Sequence, residues 1–160
     1  MTDVETSVGG RYDSPVEYLA ETDQNGDFEL HGVPGGNAHV RVGKPGYCRI
    51  GLSPSVSVPA SNLKMQLVEA AQLAVSVDFI DAERPKGYIV NMEPADGAGV
   101  GKWSGSGNID GQNQIQFKNV PPGTYVLFGR PNPSSGNKKT KPVTIELKGG
   151  ELTRLVLIAK

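Results

Sequence analysis

Thr22-Asp23-Gln24-Asn25-Gly26-Asp27-Phe28-Glu29-Leu30-His31-Gly32-Val33-Pro34-Gly35-Gly36 decides the fold, because it returns 87 residues later as Ile109-Asp110-Gly111-Gln112-Asn113-Gln114-Ile115-Gln116-Phe117-Lys118-Asn119-Val120-Pro121-Pro122-Gly123. In each copy a polar turn opens into a short alternating run that a Val-Pro turn ends. Both copies then resume alternation, as Ala38-His39-Val40-Arg41-Val42 and Tyr125-Val126-Leu127-Phe128. Apolar residues at every second position mark a strand with one buried face. A repeat of this length in 160 residues implies two small domains, here 1–69 and 70–160.

Outward from the first copy, Val16–Thr22 reads as a strand, and Asn25-Gly26 supplies the residues that tolerate positive φ in a hairpin to Asp27–Leu30. Phe28 and Leu30 share the core face, with Glu29 and His31 on the other. Val33-Pro34-Gly35-Gly36 reverses the chain, so that Ala38, Val40 and Val42 face inward together. Ser55–Val58 and Leu63–Leu67 alternate around the turn Pro59–Asn62. Before all of these, only Val4–Ser7 reads as a strand, and Arg11–Pro15 as a loop.

The second copy is preceded by a strong alternating strand with Leu73, Val75, Val77 and Phe79 in phase, and by Lys86–Met92. Asp96–Asn108 reads as a flexible Gly/Ser stretch containing Trp103. After the copy come a basic loop, Val143–Leu147, a turn at Lys148–Glu151, and Leu152–Ile158. At an offset of 87, Met1 lies opposite Tyr88, which leaves the first unit nothing opposite Leu73–Phe79. The expectation is a first unit without its opening strand, in a fragment of a longer protein. An open groove or sheet edge would follow, with pairing to another chain or an edge-to-edge dimer.

Composition agrees with many short strands. Gly 21 and Pro 12 suit tight turns, hydrophobic residues are 37% and aromatics 6%, and no stretch has a helical pattern. The net charge of −1 divides into −4 over residues 1–70 and +3 over 71–160. That balance, without a basic stripe interleaved with aromatics, argues against nucleic acid as a partner. Lys138, Lys139 and Lys141 concentrate positive charge in one loop, a solvated surface or a site for an acidic partner. Cys48 is the single cysteine, so no disulfide forms within the chain. No run of about 18 apolar residues indicates membrane insertion, and no export signal pattern opens the sequence.

The matched residues resemble the carboxypeptidase regulatory-like domain, a transthyretin-like (prealbumin-like) β-sandwich. Thr22-Asp23, Gly26, Phe28, Leu30, Val33-Pro34, Gly36, Val40, Val42 and Gly46-Tyr47 carry the resemblance in the first copy. Asp110, Phe117, Val120-Pro121-Pro122-Gly123, Tyr125 and Leu127 carry it in the second, which departs at Ile115 and at Asn132-Pro133. The resemblance implies a seven-strand Greek-key sandwich, usually a non-catalytic accessory unit of exported or cell-surface proteins and often in tandem. The setting it implies is secreted, periplasmic or cell-surface, with any signal outside this fragment.

Candidate chemistry is sparse. Asp23, Asn25, Asp27 and Glu29 have the spacing of a calcium loop, but Phe28 stands where such a loop needs Gly. A hairpin turn accounts for them better. Gly97-Ala98-Gly99-Val100-Gly101-Lys102 lacks the first Gly of a phosphate loop, and Trp103 occupies its Ser/Thr position. His31 and His39, the only histidines, lie on separate strands, which with one cysteine leaves no zinc site or His-based triad. Intradiol dioxygenases share part of the pattern but need a His-x-His pair, and hydroxyisourate hydrolases end in Tyr-Arg-Gly-Ser, whereas this chain ends Leu157-Ile158-Ala159-Lys160. Trp103 beside Lys102 is the residue best suited to stack on a sugar or anchor a partner, against a reading as a core plug. Tyr18 and Tyr47 read as core or corner residues.

The expectation is therefore an all-β chain of two tandem transthyretin-like or Ig-like sandwiches, not an enzyme, with no catalytic, metal or cofactor residues. Its function would be an accessory, structural or interaction module of a larger exported protein. The competing reading is recognition of a polysaccharide, or of a protein such as another domain of the same parent. It would use Trp103 and Lys102, the loop of Lys138, Lys139 and Lys141, or an open sheet edge.

Overall fold

The computed structural model describes residues 3–8, 16–49, 55–80, 84–97, 102–132 and 139–160, the side chains of 3–8 and 16 excepted. The described residues form strands and turns, with no helix. The chain divides into two compact units, Met1–Val68 and Glu69–Lys160.

The second unit contains β7 (Ala71–Phe79), β8 (Tyr88–Pro94), β9 (Gly105–Asn108), β10 (Gln114–Val120), β11 (Gly123–Pro131), β12 (Val143–Leu147) and β13 (Leu152–Ala159). They build two sheets, one ordered β10-β7-β13 and the other β12-β11-β8-β9. β7 is the centre of the first: it runs antiparallel to β10, with Phe117 opposite Leu73, and parallel to β13, with Leu157 opposite Val77. The alternation read from the sequence becomes the core. Leu73, Val75 and Val77 meet Tyr88, Val90, Met92, Tyr125 and Leu127 from the facing sheet, and each is at most 5% exposed.

The first unit contains β1 (Asp3–Val8), β2 (Val16–Glu21), β3 (Gly36–Gly43), β4 (Tyr47–Arg49) and β5 (Ser55–Val58), and β6 (Leu67–Glu69) closes it. Its sheet is ordered β2-β1-β3-β5, and β4 pairs with β6. This sheet repeats β9-β8-β11-β12 in order and register. Gly36 pairs with Val58 as Gly123 pairs with Leu147, and Val4 pairs with Val42 as Val90 pairs with Gly129.

The turn ahead of the repeat is the same in both copies. The Asp23 carboxylate accepts the backbone N–H groups of Asn25 and Asp27 at 2.8 and 2.9 Å, as Asp110 accepts those of Gln112 and Gln114, both at 2.8 Å. Left-handed backbone recurs at matched positions, Gly26 (φ 88°) with Asn113 (62°) and Gly32 (72°) with Asn119 (55°). An Asx turn wound by the carboxylate, followed by a residue that accepts positive φ, accounts for this stretch.

Three expectations need correction. Asp27–Leu30 does not form a hairpin with Val16–Thr22: β2 pairs with β1, and residues 27–33 join no ladder among the described residues. In the second unit the same turn carries the chain from β9 in one sheet to β10 in the other. It is therefore an arch between layers. Leu63–Leu67 is a strand only from Leu67 onward. Finally, the Gly/Ser stretch is not wholly loop, since β9 pairs with β8. Its glycines make room: a Cβ on Gly105 would lie 2.5 Å from the Trp103 ring, and one on Gly107 2.5 Å from Ile115 Cδ1.

Candidate functional site

The residues singled out from the sequence do not converge. Lys102 and Trp103 lead into β9, and Lys139 and Lys141 lead into β12, at opposite edges of the sheet β12-β11-β8-β9. Lys138 lies outside the described residues, as do residues 98–101 of the glycine-rich run. Lys139 and Lys141 are exposed on either side of buried Thr140, whose hydroxyl accepts the Gly129 N–H at 2.7 Å.

Lys102 is paired. Its ammonium lies 2.6 Å from the Asp96 carboxylate and also donates to the Asp96 carbonyl at 3.4 Å. The hydrogen bond from Lys102 holds the Asp96 carboxyl below its ordinary value. Trp103 is half-buried against the core and packs T-shaped with Tyr125 at a ring separation of 5.9 Å and 88°. Gly105 lies close against the six-membered part of the indole, and part of the Trp103 side chain remains open to solvent.

Tyr125 carries a signal that the sequence reading passed over. Its hydroxyl donates to the Pro121 carbonyl four residues upstream at 2.8 Å, the geometry of a tyrosine corner. An aromatic shortly after a Pro-Pro-Gly turn could have shown it. Tyr18 is half-buried, and Tyr47 is half-buried under Lys44, whose ammonium sits 4.3 Å from the ring centroid.

The remaining polar candidates serve the backbone or face water. His31 lies 3.6 Å from Glu29 with both side chains 79% exposed, and His39 is exposed on β3. Among the described residues no three His, Cys, Asp or Glu side chains gather as a metal site. Cys48 is half-buried, its thiol directed at the Val68 carbonyl at 3.8 Å, and burial pushes its pKa up. No helix among the described residues is long and apolar enough to cross a membrane.

A groove of about 580 Å³ opens in the first unit. One wall is residues 26–33, the other 59–63, and the floor is Ala38, Val40, Val56 and Val58. Phe28, Leu30, Val33 and Leu63 stand half-buried along it.

No family model matches the chain, and no curated protein matches it. Solved structures match the chain at low identity. GBS52, the minor pilin of Streptococcus agalactiae, is 12% identical with a TM-score of 0.45, over 99% of this chain and 82% of that one. The Bacillus anthracis TIE protein is 16% identical with a TM-score of 0.43, over 99% of this chain and 30% of its own. A variant of BcpA, the major pilin subunit of Bacillus cereus, is 12% identical with a TM-score of 0.43, over 100% and 60%. No residue of this chain takes a role from them.

Proposed function

We propose that the chain is a non-catalytic structural module of a larger exported or cell-surface protein, made of two carboxypeptidase regulatory-like β-sandwich units in tandem, 1–69 and 70–160. The observation that carries this reading is how the repeated residues are used. Asp23 and Asp110 give their carboxylate oxygens to backbone amides at matched distances, and the repeated left-handed positions turn the chain at matched sites. What the two units keep in common is thus folding chemistry. A repeated catalytic or ligand site would instead keep exposed side chains in common, and Glu29 and His31 are replaced by Gln116 and Lys118.

The exported setting rests on the family resemblance. Against a glycan-binding role stands the placement of Trp103, whose ring packs on Tyr125 and over Gly105. The test is a titration of the chain with soluble polysaccharide fragments, following Trp103 emission and the amide resonances of Lys139 and Lys141. The module reading expects neither to move. A saturable change in either would replace it with the binding-module reading.

A further inference from the structure

The groove of the first unit coincides with the place of one missing strand. In the second unit β7 lies between β10 and β13. The first unit's counterpart of β10 is residues 27–33, and that of the first part of β13 is residues 63–66. Residues 27–33 and Leu63 border the groove, and neither of the two runs joins a ladder among the described residues.

Burial reports the same gap. Phe117, Val120 and Leu147 are 7%, 0% and 1% exposed, whereas their counterparts Leu30, Val33 and Val58 are all half-buried. The backbone agrees as well. Val77 N–H donates to the Asn113 carbonyl at 2.9 Å, and antiparallel alternation places the next bonded pairs at Ile115–Val75 and Phe117–Leu73. The matched groups of Phe28 and Leu30 have no such strand beside them among the described residues.

The geometry points to the groove as the seat of one extended polypeptide strand, antiparallel to residues 27–33 and parallel to residues 63–66, in the place that β7 takes in the second unit. Strand order sets where a test strand can be joined, since β7 leads into β8 across eight residues and β1 holds the place of β8. The side-chain chemistry follows from the lining. Apolar residues at alternate positions face Phe28, Leu30 and Val33, as Leu73, Val75 and Val77 face the second core. The floor carries Ala38 and Val40 where the second unit has Tyr125 and Leu127, so this seat admits a bulkier apolar side chain than β7 presents. On the outer face Gln116 Nε2 donates to Gln72 Oε1 at 3.3 Å. Glu29 stands in the place of Gln116, which favours a basic or amide side chain in the incoming strand.

The experiment joins a copy of residues 71–86 ahead of Met1 in the full chain. A control graft carries Leu73→Asp, Val75→Asp and Val77→Asp in the copy alone. Amide exchange and sedimentation are measured for both and for the unmodified chain. The expected result is a monomer in which the Phe28 and Leu30 amides slow by on the order of a hundredfold with the apolar graft and not with the control. No slowing with the apolar graft overturns the proposal. So does an unmodified monomer in which these amides already match Ile115 and Phe117, because the chain then fills its own groove. Protection that appears only on dimerisation overturns it too, because a second copy is then the occupant. If the fusion does not fold, a free peptide of residues 71–79 added to the full chain replaces it. Saturable shifts at Phe28 and Leu30 support the seat, and their absence at millimolar peptide refutes it.

Discussion

Val33 and Val120 are the same residue at the same place in the two copies, each following a left-handed residue, and one substitution separates their surroundings. Val120 is 0% exposed, opposite Ala71 of β7, whereas Val33 lines the open groove and is half-buried. Val120→Ala removes about two buried methyl equivalents at about 0.8 kcal/mol each, and the closed core adds a cavity term. The expected cost is about 2–3 kcal/mol. Val33→Ala loses about half of the transfer energy and leaves no sealed cavity, which amounts to about 0.5–1 kcal/mol. The assay is native-state exchange in the full chain, with Val40 reporting the first unit and Leu127 the second, both buried. The two substitutions should differ by roughly ten- to thirtyfold in the exchange of their own unit's reporter. Equal large costs would refute the open groove, and equal small costs would refute the packing of the second core.

Gly105→Ala sets a methyl 2.5 Å from the Trp103 ring, so it should cost about 1–3 kcal/mol and shift Trp103 emission to the red; unchanged emission and melting would remove Trp103 from the core. Tyr125→Phe deletes the bond to the Pro121 carbonyl and should lower the second unit's stability by about 0.5–1.5 kcal/mol in urea, an effect absent if the corner plays no part. Asp23 should be visible in an acid titration. Backbone hydrogen bonds from Asp27 and Asn25 lower its folded pKa below the ordinary value, so the stabilisation is present above that ordinary value and is lost as pH falls through the lowered one. The Asn25 and Asp27 amide resonances should follow that titration, and in Asp23→Asn the inflection should vanish; its persistence would assign it to another carboxyl.

Where the sequence was legible, the residues themselves caused the structure. The Asx turn needs Asp at its first position and a residue tolerant of positive φ at its fourth, and both copies display them. The alternation of Leu73, Val75 and Val77 named a buried face correctly because the face depends only on the period. The state of Asp27–Leu30 and Leu63–Leu67 was harder to read. Both runs alternate as strands do, yet a ladder needs a partner, and the partner is not written in the run itself. Gly105 and Gly107 misled for a different reason. Glycine is ordinarily weak in strands, but here the missing side chains are what let Trp103 and Ile115 approach. The candidate site fared least well, since Lys102 had its partner in Asp96, six residues back, and Trp103 its neighbour in Tyr125 on another strand.

The most direct test of the account is residue-resolved amide exchange in the unmodified chain, comparing Phe28 and Leu30 with Ile115 and Phe117. The account predicts exchange near the open-chain rate for the first pair and strong protection for the second, while Val40 and Leu127 are both protected. Equal protection of the two pairs in a monomer would contradict it, because the first unit would then be a closed sandwich with no seat for another strand.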